Sequence, residues 1–218
     1  MNNLTVMILS CVGAYLLGSI PTAVWIGKAF FGIDVREHGS GNAGATNTLR
    51  TLGKPAGFTV LFIDFLKGLL ATSLVIFNHS LVSETEAYFN MQMLLGAMAV
   101  LGHVYPIFAG FKGGKGIATL IGVITAMSGW LALCCFVTFV IIVSVSKYIS
   151  LGSMVSAILS PLYVGLIYEW HQPTFLYFCI TIAVLVVYTH RANIGRLRAG
   201  NENKFSLNKK PTIETQKK

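Results

Sequence analysis

Six apolar runs, near residues 4–27, 58–77, 88–109, 117–145, 151–168 and 174–189, leave little of the chain for a water-facing surface. A helix needs about 20 apolar residues to cross the hydrocarbon core of a bilayer. Hydrophobic residues make up 54% of the chain and charged residues 11%, whereas soluble domains carry about 25% charged residues. Mean hydropathy is +0.69. These values exclude a disordered chain, a soluble nucleic-acid binder and a disulfide-stapled secreted module. They predict an all-α polytopic membrane protein. Cys11, Cys134, Cys135 and Cys179 all lie inside apolar stretches without metal-ligand spacing, so they are expected to be free, buried thiols. No Lys or Arg precedes the first run, which is therefore read as a span and not as a cleaved signal peptide.

Charge sets the number of crossings. Lys28, Arg36, Arg50 and Lys54 lie at or between runs one and two, Lys112 and Lys115 follow run three, and Lys147 follows the long run. Residues 191–218 carry eight Lys or Arg against Glu202 and Glu214. Such a tail can be a nucleic-acid arm or a cytoplasmic anchor, and its place directly after a span favours the anchor. The connections at 78–87 and 169–173 contain no Lys or Arg, only the acids Glu84, Glu86 and Glu169. The positive-inside rule then puts the basic connections in the cytoplasm and the acidic ones outside. Both ends of run 117–145 face inside, so it must cross an even number of times. The expected break is at Met127-Ser128-Gly129-Trp130. It leaves Ile117–Met127 only about 17 Å long, a short arm of a shallow or tilted hairpin. The prediction is seven transmembrane helices, two of them short, with the N-terminus outside and the C-terminus cytoplasmic. Residues 1–205 form one transmembrane catalytic domain in this reading, and 206–218 a basic, poorly ordered tail. One tilted helix over 117–145 is the rival and would put the basic tail outside.

The glycine-rich polar segments then share the inner face. The first runs from Asp34 to Pro55 and alternates glycines with small polar residues. It is either a flexible solvated loop or a cradle in which backbone N–H groups converge on an anion, with the Arg50 fork beside it. The second holds Lys112 and Lys115 among Gly110, Gly113, Gly114 and Gly116 at a helix start. It is either a topogenic turn or a phosphate site at a helix N-terminus. Only three residues separate Gly110 from Gly114-Lys115, and Gly116 follows, so it is not a nucleotide P-loop. The third begins at His190, with Asn193 on the same face if the helix continues. Tyr148–Ser153 adds hydroxyls. Asp64 and Lys67, at i, i+3 within run two, are either a self-satisfying pair or support for a site.

Three segments carry a family resemblance. They are Gly39-Ser40-Gly41-Asn42-Ala43-Gly44-Ala45-Thr46-Asn47, then Gly102-His103-Val104-Tyr105-Pro106 through Lys112-Gly113-Gly114-Lys115-Gly116, then His190-Arg191-Ala192-Asn193 through Gly200-Asn201-Glu202. In order and spacing they resemble the bacterial acyl-phosphate:glycerol-3-phosphate acyltransferase family over nearly the whole chain. The resemblance implies a seven-helix, multi-pass enzyme of the bacterial cytoplasmic membrane with its active site facing the cytoplasm. The implied reaction moves a fatty acyl group from acyl-phosphate to the sn-1 hydroxyl of glycerol-3-phosphate, the first acylation of phospholipid synthesis. It implies that Arg50, Lys115, Ser153, His190 and Asn193 grip glycerol-3-phosphate. Ser40, with Gly39, Gly41 and Asn42, lines the acyl-phosphate site, and Lys112, Gly113 and Gly114 bind substrate. No cofactor or metal is implied. The expected partners are the two substrates, membrane lipid and the enzyme that forms the acyl-phosphate, and no nucleic acid.

The His-x4-Asp type of acyltransferase is excluded, because the five histidines are followed at that offset by Ala43, Glu84, Phe108, Leu176 and Gly195. No histidine can be placed beside Asp34 or Asp64 from sequence. A substrate phosphate oxygen is therefore the expected proton acceptor. The competing classes are a transporter or channel for a phosphorylated anion and a structural membrane protein.

Overall fold

The computed structural model describes residues 2–83, 85–168, 173–206, 211 and 213. Among them are ten α-helices and no strand: α1 (Asn3–Gly18), α2 (Thr22–Phe31), α3 (Ala45–Leu52), α4 (Lys54–Ser73), α5 (Glu86–Val104), α6 (Ile117–Met127), α7 (Gly129–Ser146), α8 (Ile149–Ile167), α9 (Pro173–Thr189) and α10 (Arg191–Arg198). They fall into two compact units, α1–α6 with Pro211 and Ile213, and α7–α10 with the segment that follows. Glu84 and Glu169, which contribute to the acidic connections, lie outside the described residues, as does most of the basic tail.

The long apolar run breaks where the sequence places the break. Ser128 is extended (φ −156°, ψ 103°) and its side chain accepts the Leu131 N–H. That cap satisfies one of the unpaired amides of a new helix start. The 11 residues of α6 are too few to cross a bilayer alone. The first run differs from expectation. It is two helices, α1 and α2, meeting at 42°. Pro21 has no N–H to donate and its ring disfavours helical backbone at Ile20. Among the described residues, four helical segments are long and apolar enough to cross a membrane, or six if the bent pairs α1–α2 and α9–α10 each count once.

Pro161 lies inside α8 without ending it. The missing Pro161 N–H would have served the Ala157 carbonyl, and the Ser160 hydroxyl donates to that oxygen instead, at 2.8 Å. Small residues let the first unit's helices approach closely. A Cβ on Gly68 of α4 would collide with the Thr119 backbone of α6, and one on Gly122 of α6 with the Phe65 carbonyl of α4. Gly18 of α1 and Gly102 of α5 make the same reciprocal approach. Ala14, Ala71, Val75, Met91, Leu95 and Ala99 fill one buried cluster, and Ala23, Val35, Leu52, Ala56 and Val60 a second. Large apolar side chains such as Phe62, Trp130 and Val145 face outward, the arrangement expected where lipid is the solvent.

Gly68→Ala should force α4 and α6 apart and destabilise the protein by about 1–3 kcal/mol. Gly195→Ala in α10, where nothing lies within 4 Å of the added carbon, should leave stability equal or slightly higher. Thermal unfolding in detergent checks both.

Candidate active site

The first glycine-rich segment is ordered by Asn47, a buried residue in the first turns of α3. Its side-chain oxygen accepts from the Ser40 N–H at 2.8 Å and the Ser40 hydroxyl at 3.1 Å. Its amide donates to the Val35 and His38 carbonyls at 2.8 and 3.0 Å. The chain can turn around this one amide because Gly39 and Gly41 take φ of +63° and +70°, a region that costs other residues. Gly39 is pressed so closely on Asn47 that a Cβ would overlap its oxygen. Ser40 and Gly41 are exposed, and Asn42 is half-buried. Arg50, half-buried, lies one turn beyond Asn47 on α3.

Arg36 joins this segment to the second. It grips Asp34 in a bidentate pair, Nε to Oδ1 at 2.9 Å and a terminal nitrogen to Oδ2 at 2.7 Å. Its other terminal nitrogen donates to the Ala109 and Lys112 carbonyls at 2.9 and 3.2 Å. The Arg36 hydrogen bonds hold the Asp34 carboxyl well below the usual carboxylate range. Within the second segment, the Gly113 and Gly114 N–H groups donate to the Val104 and His103 carbonyls, both at 3.2 Å. Lys112 is exposed, Gly113 and Lys115 are half-buried, and Lys115 stands two residues before α6.

Asp64 and Lys67 form a buried ion pair of 2.8 Å on α4. Asp64 also accepts from the Thr22 hydroxyl at 2.9 Å, and Lys67 donates to the Ile20 carbonyl at 2.8 Å. The histidine that the sequence could not place beside Asp64 is His103. Its Nδ1 lies 3.9 Å from the Asp64 carboxylate and 3.1 Å from the Thr119 hydroxyl. Sequence reasoning missed the contact because His103 is 39 positions away on another helix. Thr22, Ala43, Asp64, Lys67, His103 and Gly114 line a cleft with room for about one water.

In the second unit, His190 is buried at the turn between α9 and α10, which meet at 59°. Its Nδ1 lies 2.8 Å from the Val186 carbonyl. A carbonyl only accepts, so Nδ1 carries the proton. The Ser153 hydroxyl donates to the Ile149 carbonyl at 3.0 Å. Glu202 is the hub. It accepts from Asn193 and Arg196 at 2.7 Å each and from Ser150 at 2.9 Å. Burial opposes its charge, but these three donors outweigh burial and hold its carboxyl below the ordinary value. The predicted residues thus divide between the units: Ser40, Arg50 and the 112–115 segment in the first, Ser153, His190 and Asn193 in the second.

Comparison with known proteins places this arrangement. The model of the glycerol-3-phosphate acyltransferase family matches residues 8–200. The chain belongs to that family. A glycerol-3-phosphate acyltransferase of Bacillus cereus (strain G9842) is 46% identical over 198 residues, covering 90% of this chain and 94% of that protein. One from Listeria monocytogenes serovar 1/2a is 42% identical over 199 residues, with coverages of 91% and 96%. The crystal structure of PlsY (YgiH), an integral membrane glycerol 3-phosphate acyltransferase, in its glycerol 3-phosphate form is similar with a TM-score of 0.82 at 40% identity. It covers 92% of this chain and 96% of that one. Its lysophosphatidic acid form gives 0.77 at 37% identity, with the same coverages. Against this family frame, sequence reasoning assigned no role to Arg36, Asn47, His103 or Glu202. The signals were present: an Asp-x-Arg pair, an Asn inside the first motif, a His heading the second and one acid closing the basic third.

Glu202→Gln should lower thermal stability at pH 7. The folded-state carboxyl lies below its unfolded value, so its contribution is full above about pH 4.3 and is lost as pH falls through the lower folded value. The difference between wild type and variant should therefore shrink on acidification, which melting curves from pH 7 down to 4 would follow.

Proposed function

We propose that the protein is an acyl-phosphate-dependent glycerol-3-phosphate 1-O-acyltransferase, releasing lysophosphatidic acid and inorganic phosphate. The observation that carries the reading is the Arg36 bridge, which brings the Ser40 segment and the Lys112–Lys115 segment together in the first unit. Two anionic reactants repel each other in a shared pocket. Fixed cations and backbone N–H donors offset that repulsion and the charge that develops in reaction.

Arg50 and Lys115 are the cations assigned to glycerol-3-phosphate, and Ser40 with Gly39, Gly41 and Asn42 line the acyl-phosphate side. Lys112 is a further cation for substrate phosphate, and Gly113 and Gly114, whose N–H groups are bonded to the Val104 and His103 carbonyls, shape the substrate-binding loop around it. The same glycerol-3-phosphate role is proposed for Ser153, His190 and Asn193. The sn-1 oxygen attacks the acyl carbonyl carbon, the carbon–oxygen bond to phosphate breaks, and phosphate leaves with the bonding pair. A substrate phosphate oxygen takes the hydroxyl proton. Asp34 and Glu202 are unsuited to that task, because hydrogen bonds, from Arg36 to Asp34 and from Asn193, Arg196 and Ser150 to Glu202, hold both ionised and weakly basic. Positioning supplies much of the acceleration. With α6 as a short arm beside the six candidate crossings, the membrane segments number seven. With the basic connections inside, the C-terminus and the site lie in the cytoplasm of a bacterial inner membrane, where an acyl-phosphate-forming enzyme supplies the donor.

Detergent-purified protein given palmitoyl phosphate and labelled glycerol-3-phosphate should yield labelled lysophosphatidic acid. A transporter of phosphorylated anions would yield none. Lys115→Ala should abolish the product in protein that still folds, and normal turnover by that variant would remove the phosphate clamp. Cysteine labelling at positions 128 and 129 reports which side of the membrane the hairpin turn occupies.

A further inference from the structure

We propose that His103, backed by the buried Asp64–Lys67 pair, is a positioning residue that sets the shape of the Gly113–Gly114 loop and thereby aims Lys115. The inference rests on the acyltransferase reading above and assigns work to a cluster that the reaction itself leaves unused.

The end of α5 holds the chain on both sides of Lys115, and the His103 ring contacts both sides. On the N-terminal side, the His103 and Val104 carbonyls accept the Gly114 and Gly113 N–H groups, both at 3.2 Å. The imidazole occupies the place a Gly114 side chain would need, since a Cβ there would collide with Nε2. On the C-terminal side, His103 Nδ1 meets the Thr119 hydroxyl of α6 at 3.1 Å. Between these two attachments are only Lys115, Gly116 and the first residues of α6. Gly116, at φ +80°, makes the turn into the helix.

The ring is itself held from behind. Asp64 lies 3.9 Å from Nδ1 and is occupied by Lys67 at 2.8 Å and Thr22 at 2.9 Å. Lys67 is tied in turn to the Ile20 carbonyl at 2.8 Å. The Nδ1 side of the ring thus rests on Thr119 and Asp64, and its Nε2 side lies against Gly114. The geometry therefore points to support of the loop and not to a proton relay through His103. A displacement of about 1 Å in Lys115 is enough to cost on the order of 100-fold in a site that works by orientation.

The test is steady-state kinetics of the purified full-length enzyme with palmitoyl phosphate and glycerol-3-phosphate. His103→Ala should raise KM for glycerol-3-phosphate about 10- to 100-fold, with kcat and the KM for palmitoyl phosphate little changed. His103→Asn, whose amide reaches the position of Nδ1 and can keep the Thr119 contact, should recover most of the lost affinity. Thr119→Val removes only the hydroxyl and should raise the same KM by a smaller factor. An unchanged KM in His103→Ala overturns the proposal. So does a fall in kcat alone without rescue by Asn, the signature of proton transfer. If His103→Ala does not survive purification, Thr119→Val decides by the same criterion. A wild-type protein that transfers no acyl group would count against the acyltransferase reading instead. Equilibrium binding of glycerol-3-phosphate to wild type and Thr119→Val would then test the loop's support on its own.

Discussion

Backbone polar groups inside a bilayer have no water to turn to, so every interruption of a helix must be answered by a partner from within the protein. The break at Pro21 is the most consequential case. It exposes the Ile20 carbonyl, and Lys67 reaches across from α4 to meet it. A lone ammonium at that depth is costly, which explains Asp64 one turn earlier on the same helix. Removing either member of such a pair typically costs about 3–5 kcal/mol, because the other is left charged and uncompensated. Pro161 poses the same problem on a smaller scale, and a neighbouring hydroxyl answers it.

Close helix packing makes these partnerships possible. Gly68 against Thr119 and Gly122 against Phe65 bring α4 and α6 to backbone contact, and Gly18 and Gly102 do so for α1 and α5. Asp64, Lys67, His103, Thr119 and the Pro21 break can then share one buried cluster of the first unit. The cluster and the Gly113–Gly114 loop line one cleft, so the side chains that meet the demands of the membrane interior also adjoin the loop proposed to bind anions.

The second unit solves a related problem with a single carboxylate. α10 is short and strongly basic, and apolar burial cannot hold it. Glu202 folds the following chain back to accept from Asn193 and Arg196 on α10 and Ser150 at the start of α8. Asn193 therefore has a structural bond as well as the substrate role proposed for it, and the tautomer of His190 follows from the Val186 carbonyl.

Much of this was legible in the chain itself. Apolar run lengths establish a helical membrane protein, since no other use of six such runs is stable in water. The glycine-and-lysine spacing marks the segments proposed to bind anions, and Gly129 beside Trp130 marks the break between α6 and α7, because these are local properties of backbone and composition. Tertiary structure decided the rest. Pro21 ends α1 and Lys67 meets the Ile20 carbonyl left at the break, whereas Pro161 leaves α8 intact, with the Ser160 hydroxyl in place of the missing N–H. The partnership of Asp64 with His103, and of Arg36 with the Ala109 and Lys112 carbonyls, depends on which helix faces approach. That approach is set by steric fit between glycines far apart in sequence, and no periodicity or composition encodes it.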